Sequence, residues 1–125
     1  QNELSNKVKI IDCFTQEEKG NLMANSLGCI YTPYNEEYEC VTLESYYSQK
    51  PVITCTDSGD TNTFVENDVT GLVVPAEPKV IAEAMDKLYF DKKTTEKMGK
   101  FGSEKVRSLN ITWDSVIRRI TLLEE

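Results

Sequence analysis

Two glutamates in one stretch are the side chains best placed to bind a polar ligand. Glu36 lies in a polar loop, Glu44 follows eight positions later in a short helical pattern, and an apolar strand, Val52–Cys55, comes next. We expect Glu44 two turns along that helix, about one nucleotide's length from Glu36. A carboxylate offers two acceptor oxygens to a pair of adjacent hydroxyls. Acidic side chains are also common near the start of solvated surface helices, and spacing alone favours that simpler explanation.

The segments around the two glutamates contain further candidate ligands. Cys40, Val41 and Thr42 stand at the predicted helix start, where backbone amides favour an anion such as a diphosphate. The loop at residues 57–60 reads DSGD and is equally consistent with a ligand loop or an ordinary turn. Nearby tyrosines could stack on a ring of the ligand, but packing at the helix flank is the commoner role.

Composition limits the classes of function. The 125 residues are enough for one domain with a single core, and the net charge of −7 argues against nucleic acid as a main partner. No apolar run is long enough to span a membrane. The chain has no histidine and no CxxC pair, which excludes Ser-His or Cys-His catalysis and disfavours a zinc site. We expect the four cysteines to be free, buried thiols.

The hydrophobic pattern predicts an α/β domain. Strands are expected at residues 8–11, 29–31, 52–55 and 71–74, and helices at 15–26, after Cys40, at 78–88, at 94–109 and from 112 onwards. The apolar positions expected to face the core in the last two helices are Met98, Phe101, Val106, Leu109, Trp113, Val116, Ile117 and Ile120. Short apolar strands alternating with helices indicate a parallel sheet. Its ligand edge would then carry the loops at 12–15, 32–40 and 56–63.

These segments, taken in order, resemble a known family. Residues 36–45 read EEYECVTLES, followed by Pro51 and Val52, and this is similar to the Glu-x7-Glu motif of family 4 retaining glycosyltransferases. Residues 58–60, SGD, resemble that family's glycine loop, and residues 68–74, DVTGLVV, resemble its late glycine-containing strand. The resemblance covers nearly all of residues 8–123. It identifies the chain with the C-terminal, donor-binding half of a GT-B enzyme.

The resemblance implies a fold and a reaction. The fold is a Rossmann-like αβα sandwich with a mostly parallel sheet, and residues 1–125 form one domain, the later part of the donor-binding domain. The reaction moves a hexose from a UDP- or GDP-sugar to a glycan, lipid or small acceptor, with no metal and no cofactor other than the donor substrate. Glu36 would be the catalytic residue that contacts the donor sugar and Glu44 would bind the ribose. The other implied donor-binding residues are Tyr38, Cys40, Val41, Thr42 and Gly59.

The resemblance also implies partners. The family's phosphate-binding arginine and lysine belong to an upstream strand and helix. We therefore expect residues 1–125 to be a fragment that is inactive alone, and its partner to be the missing upstream domain of the same enzyme. The expected location is the cytoplasm or the cytoplasmic face of a membrane.

Three alternatives are weighed against this enzyme. Glu37, Glu39 and Asp60 replace family glycines, which makes a non-catalytic glycosyltransferase-like binding or regulatory module the first alternative. A sugar-nucleotide epimerase would normally need histidine. A flavodoxin-like or receiver-like domain does not explain the spacing of Glu36 and Glu44 together with the glycine at Gly71.

Overall fold

The fold is an α/β arrangement of three strands and six helices in the part of the chain that is described. The computed structural model describes residues 6–37 and 40–121. In chain order the elements are α1 (Gln16–Asn25), β1 (Cys29–Ile30), α2 (Val41–Tyr47), β2 (Val52–Cys55), α3 (Thr61–Phe64), β3 (Gly71–Val74), α4 (Pro78–Phe90), α5 (Lys92–Ser108) and α6 (Trp113–Thr121).

The three strands form one parallel sheet in the order β1-β2-β3. Cys29 is in register with Val52, and Val52 is in register with Gly71. The central strand β2 is buried along its whole length, as expected for a parallel strand covered on both faces. All three strands therefore end at the same edge of the sheet.

Successive side chains of β2 face two different hydrophobic cores. Val52 packs with Tyr46 of α2 and Val106 of α5, whereas Ile53 packs with residues of β3, α4 and α5, namely Leu72, Ala84, Leu88 and Met98. This alternation follows from the two-residue period of a strand. Helices therefore cover both faces of the sheet, and the predicted αβα sandwich with a parallel sheet is confirmed.

Several helix boundaries have clear local causes. Thr15 and Glu18 form a reciprocal capping box at α1, in which the Glu18 amide donates to Thr15 Oγ1 at 3.2 Å and the Thr15 amide donates to Glu18 Oε2 at 2.7 Å. Pro78 occupies the first turn of α4, where its missing N–H costs nothing. At α5, the carboxylate of Asp91 accepts a hydrogen bond from the amide of Thr94 at 3.0 Å.

Two predicted elements differ in the structure. The strand predicted at residues 8–11 is not formed, and these residues follow an irregular, mostly exposed path. An apolar run indicates a strand only where a neighbouring strand accepts its hydrogen bonds, and the sheet described here places no strand beside it. The helix carrying Glu44 begins at Val41, so Glu44 lies in its first turn rather than two turns along.

The predicted burial of the last helices is only partly correct. Met98 and Val106 are buried, but Phe101 and Leu109 are about half exposed. Trp113 is 82% exposed, and the rest of the apolar face of α6, Val116, Ile117 and Ile120, is also exposed. Helical periodicity reports that a helix has an apolar face, but it does not report what that face packs against.

The cysteines are all free, as expected, but only one is buried. Cys55 is buried, Cys29 is intermediate, and Cys13 and Cys40 are exposed. Cys55 is protected because it lies in β2, the covered central strand, whereas Cys13 and Cys40 lie in loops. Small apolar character does not bury a residue that the topology places in a loop.

Candidate functional site

Two loops meet at the carboxyl edge of the sheet. The loop after β1 contains Glu36, and the loop after β2 contains Gly59. The Asn35 amide donates to the Asp57 carbonyl at 2.9 Å, the Asp60 amide donates to the Glu36 carbonyl at 2.9 Å, and Glu36 and Gly59 form an isolated parallel bridge. The backbone at Asn35 and Glu36 is therefore held by two hydrogen bonds to the second loop. Loops that follow neighbouring parallel strands are expected to meet in this way at one edge of the sheet.

Gly59 makes this close approach possible. Its φ of +70° lies in the left-handed region, and a Cβ atom at this position would stand 2.5 Å from the Glu36 carbonyl oxygen. Only a residue without a side chain fits both conditions at low cost. Gly59 was predicted to bind the donor, and that prediction is untested. The contact that the structure records for it is with the backbone that carries Glu36.

The second loop is fixed by its own hydrogen bonds. The Cys55 amide donates to Ser58 Oγ at 3.2 Å, and the side-chain amide of Asn62 donates to the Thr56 carbonyl at 3.0 Å. Burial, with a smaller contribution from the negative charge of Asp57, raises the pKa of the Cys55 thiol. The thiol of Cys55 is therefore buried and favours its neutral form, and the contact of Cys55 with the loop is made by its backbone amide.

The helix α2 is anchored on the side that faces α5. The Tyr46 hydroxyl donates to Thr70 Oγ1 at 2.7 Å, and its ring lies against Gly102 of α5, where a Cβ atom would stand 2.4 Å from the ring. Tyr46 is fully buried. This contact fixes the axis of α2, and with it the direction of the residues on the exposed side of the helix.

The predicted diphosphate residues lie at the start of α2. Cys40 occupies the N-cap position and gives no side-chain hydrogen bond to the helix, Val41 is half-buried, and the Thr42 side chain is buried. The first turn of an α-helix presents amides that have no partner within the helix. Tyr38, which was also predicted to contact the diphosphate, lies outside the described residues.

Glu44 has a partner that the sequence did not predict. Lys19 of α1 places its Nζ atom 2.5 Å from Glu44 Oε2, and the two side chains are 26% and 38% exposed. Together α1 and α2 border a groove of about 230 Å³, lined by Gln16, Lys19, Gly20, Met23, Glu44, Tyr47 and Ser48. Lys19 and Glu44 are 25 positions apart, and no local pattern links residues at that distance.

The charge at this edge of the sheet is negative. Glu37, Asp57 and Asp60 are exposed, and Glu36 is half-buried. Within residues 6–37 and 40–121, no group of three or more histidine, cysteine or acidic residues is arranged to hold a metal ion. In the same residues, no helix combines the length and apolar character needed to cross a membrane.

Comparison with known proteins places this architecture in a family. A family model described as glycosyl transferases group 1 matches residues 1–105. An alpha-1,3/1,6-mannosyltransferase ALG2 from Mus musculus is 31% identical over 106 residues, which cover 85% of this chain and 25% of that protein. The corresponding protein from Dictyostelium discoideum is 33% identical over 103 residues, covering 82% and 24%.

A solved structure has the same fold. Sucrose-phosphate synthase (tll1590) from Thermosynechococcus elongatus superposes with a TM-score of 0.86 and 24% sequence identity, over 97% of this chain and 30% of that one. The chain thus spans about a quarter of the length of the curated relatives it matches. From the family match and the relatives that are at least 30% identical, the chain belongs to the group 1 glycosyl transferases.

Proposed function

We propose that this chain forms part of the donor site of a retaining glycosyltransferase that transfers a hexose from a UDP- or GDP-sugar. The observation that carries the proposal is the junction between the Glu36 loop and the loop around Gly59, at the ligand edge of a domain of this family. The relatives named as mannosyltransferases make mannose the hexose to test first. The acceptor would be a glycan, a lipid or a small molecule.

Each predicted residue has a role in this proposal. Glu36 accepts hydrogen bonds from hydroxyls of the donor sugar, and its fixed backbone keeps the carboxylate close to its working position before the ligand arrives. Glu44 accepts hydrogen bonds from the ribose hydroxyls. The amides around Tyr38, Cys40, Val41 and Thr42 meet the diphosphate.

The groove beside Glu44 takes part of the ligand. Its volume of about 230 Å³ is below the roughly 300–1,000 Å³ of typical ligand pockets. It is therefore too small for a complete sugar nucleotide, and the remaining surface of the donor site comes from other parts of the protein. No metal is assigned to this reaction, and the donor is a substrate rather than a bound cofactor.

Upstream parts of the same enzyme complete the site. The strand β1 pairs with β2 on one side, Ile30 is 46% exposed, and an apolar groove of about 310 Å³ lies beside it, lined by residues such as Leu27, Met85 and Tyr89. We assign this surface to an upstream strand and helix, which also supply the basic groups that stabilise the leaving diphosphate. These residues alone are then inactive, and the full enzyme acts in the cytoplasm or at the cytoplasmic face of a membrane.

Calorimetry with the full-length protein tests the donor role. UDP and GDP are titrated into the wild type and into Glu44→Ala, which loses charge-assisted hydrogen bonds to the ribose. A loss of about 1.5–3 kcal/mol corresponds to a roughly 10- to 150-fold higher dissociation constant for the nucleotide that binds. Glu96→Ala removes an exposed glutamate from α5 and serves as the matched control. Equal affinities for wild type and Glu44→Ala would contradict the ribose role.

The same titration tests the alternative of a non-catalytic glycosyltransferase-like module. That alternative is favoured by acidic residues where the family has glycines, and two of them, Glu37 and Asp60, are exposed at the ligand edge. Their charges oppose a diphosphate. A full-length protein that binds neither UDP nor GDP, and shows no thermal shift with either, would support the binding or regulatory module instead.

A further inference from the structure

The ion pair between Lys19 and Glu44 points to a further residue in nucleotide recognition. We propose that Lys19 is a positioning residue, which holds Glu44 in the orientation that receives the ribose hydroxyls. This inference rests on the proposed function, because it assumes that Glu44 contacts a ribose. It adds a contribution from α1, an element without a predicted role in the site.

The contact is a close ion pair. Lys19 Nζ lies 2.5 Å from Oε2 of Glu44, without the angles of a hydrogen bond, and that oxygen is shielded from solvent although the side chain as a whole remains 38% exposed. The buried Oε2 therefore faces Lys19, and the exposed part of the carboxylate, rather than both oxygens, is available to the ribose hydroxyls. A side chain held in one rotamer by a charged neighbour loses less entropy when the ligand binds.

The adjacent acid Glu18 does not compete for Lys19. The adjacent carboxylate of Glu18 is committed to the capping box, where hydrogen bonds from Thr15 hold its pKa below the usual range. The Lys19 backbone is also fixed, since its amide donates to the Thr15 carbonyl at 3.0 Å in the first turn of α1. Lys19 is thus presented to Glu44 from a capped helix turn rather than from a loop.

A purely structural role explains the pair less well. The helix α1 buries none of its residues, and a partly exposed ion pair contributes little to stability. The pair also lines the groove between α1 and α2, together with Gln16, Met23 and Tyr47. Its location beside a groove that takes part of the ligand, rather than on an open surface, is what the positioning role requires.

Nucleotides with and without ribose hydroxyls separate the two roles. Calorimetry on the full-length protein would compare UDP and GDP with their 2′,3′-dideoxy analogues, which offer no hydroxyls to Glu44. We expect Lys19→Met to weaken binding of the ribonucleotide roughly two- to fivefold, the range of a partly exposed ion pair, and to leave binding of the dideoxy analogue unchanged. Lys19→Arg should retain most of the affinity.

Two controls make the result specific. Lys87→Met breaks the exposed pair between Lys87 and Asp68 and should change neither affinity. In a Glu44→Gln background, Lys19→Met should have no further effect, because the group it positions is no longer a carboxylate. Melting temperatures of all variants identify any loss of affinity that comes from unfolding.

The outcomes distinguish this inference from the proposed function. An equal loss of affinity for ribonucleotide and dideoxy analogue would show that Lys19 only docks α1 and would overturn the positioning role. No change for either ligand would overturn it too. If the wild type binds neither UDP nor GDP, the proposed function fails and this inference fails with it. If the wild type binds UDP or GDP and the Lys19 variants bind it with the same affinity, the proposed function stands and this inference fails.

Discussion

Replacing Gly59 by alanine should damage the site through the backbone of its neighbour. Gly59 has a φ of +70°, and an added Cβ would stand 2.5 Å from the Glu36 carbonyl oxygen and 2.7 Å from the Glu36 nitrogen. Ordinary van der Waals contacts to a Cβ lie at 3.4–4 Å. The Glu36 loop must therefore move away, and the hydrogen bonds that join it to Asp57 and Asp60 must lengthen or break.

Two costs set the size of the effect on the free energy of unfolding. A left-handed conformation costs an L-residue roughly 1–2 kcal/mol. Each of the two inter-loop hydrogen bonds, Asn35 to Asp57 and Asp60 to Glu36, contributes about 0.5–1.5 kcal/mol. Gly59→Ala should therefore lower the free energy of unfolding by about 2–5 kcal/mol. Because the displaced loop carries Glu36, donor affinity should fall with it, by about tenfold or more.

Gly20 provides a matched control for this experiment. It lies in the exposed part of α1, and an added Cβ meets nothing within 4 Å, so Gly20→Ala should stabilise the protein by roughly 0.5–1 kcal/mol. Both variants would be compared with wild type by thermal unfolding. Calorimetry with UDP and GDP would compare wild type and Gly59→Ala alone, because Gly20 lines the groove beside Glu44. A Gly59→Ala variant that melts at or above the wild-type temperature with unchanged affinity would refute the reasoning.

Two further predictions concern the support of the site. Thr70→Val removes the oxygen that accepts hydrogen bonds from the Tyr46 hydroxyl at 2.7 Å and from the Glu66 amide at 2.9 Å. This substitution should lower the free energy of unfolding, measured by denaturant titration, by about 1–3 kcal/mol. Thr70→Ser, which keeps the oxygen, should be close to wild type in stability. Cys55, buried and with a raised pKa, should react with a thiol reagent at neutral pH only after unfolding, while the exposed Cys40 reacts at once. Equal labelling rates would contradict the packing of β2.

The central part of the fold was predictable because local signals and tertiary structure agree there. A short apolar run at Val52–Cys55, bounded by Pro51 and a polar loop, is typical of a covered parallel strand, and it is buried along its length. The capping box at Thr15 and the proline at the start of α4 likewise act on their own helix ends. The meeting of the Glu36 and Gly59 loops then follows from the rule that ligand loops share one edge of a parallel sheet.

Features that depend on distant partners were not predictable. Residues 8–11 have the composition of a strand but follow an irregular path, and the apolar face of α6 with Trp113 is exposed. Each of these patterns describes one side of an interface and contains no information about the other. The Lys19–Glu44 pair was missed for the same reason, since the two residues meet only after α1 and α2 have packed.

Glu37, which stands where the resemblance places a glycine, puts no conformational strain on the loop. In the described part of this loop, the residue with a positive φ is Asn35, at 47°, and asparagine tolerates that conformation better than most residues. Glu37 therefore needs no left-handed backbone, and the inter-loop hydrogen bonds form beside it. What remains is the negative charge of an exposed side chain, and salt screens such a charge over about 8 Å at physiological ionic strength. The loss of this glycine thus lowers the attraction for a diphosphate without removing the geometry that holds Glu36, so at this position the non-catalytic module is favoured by charge alone.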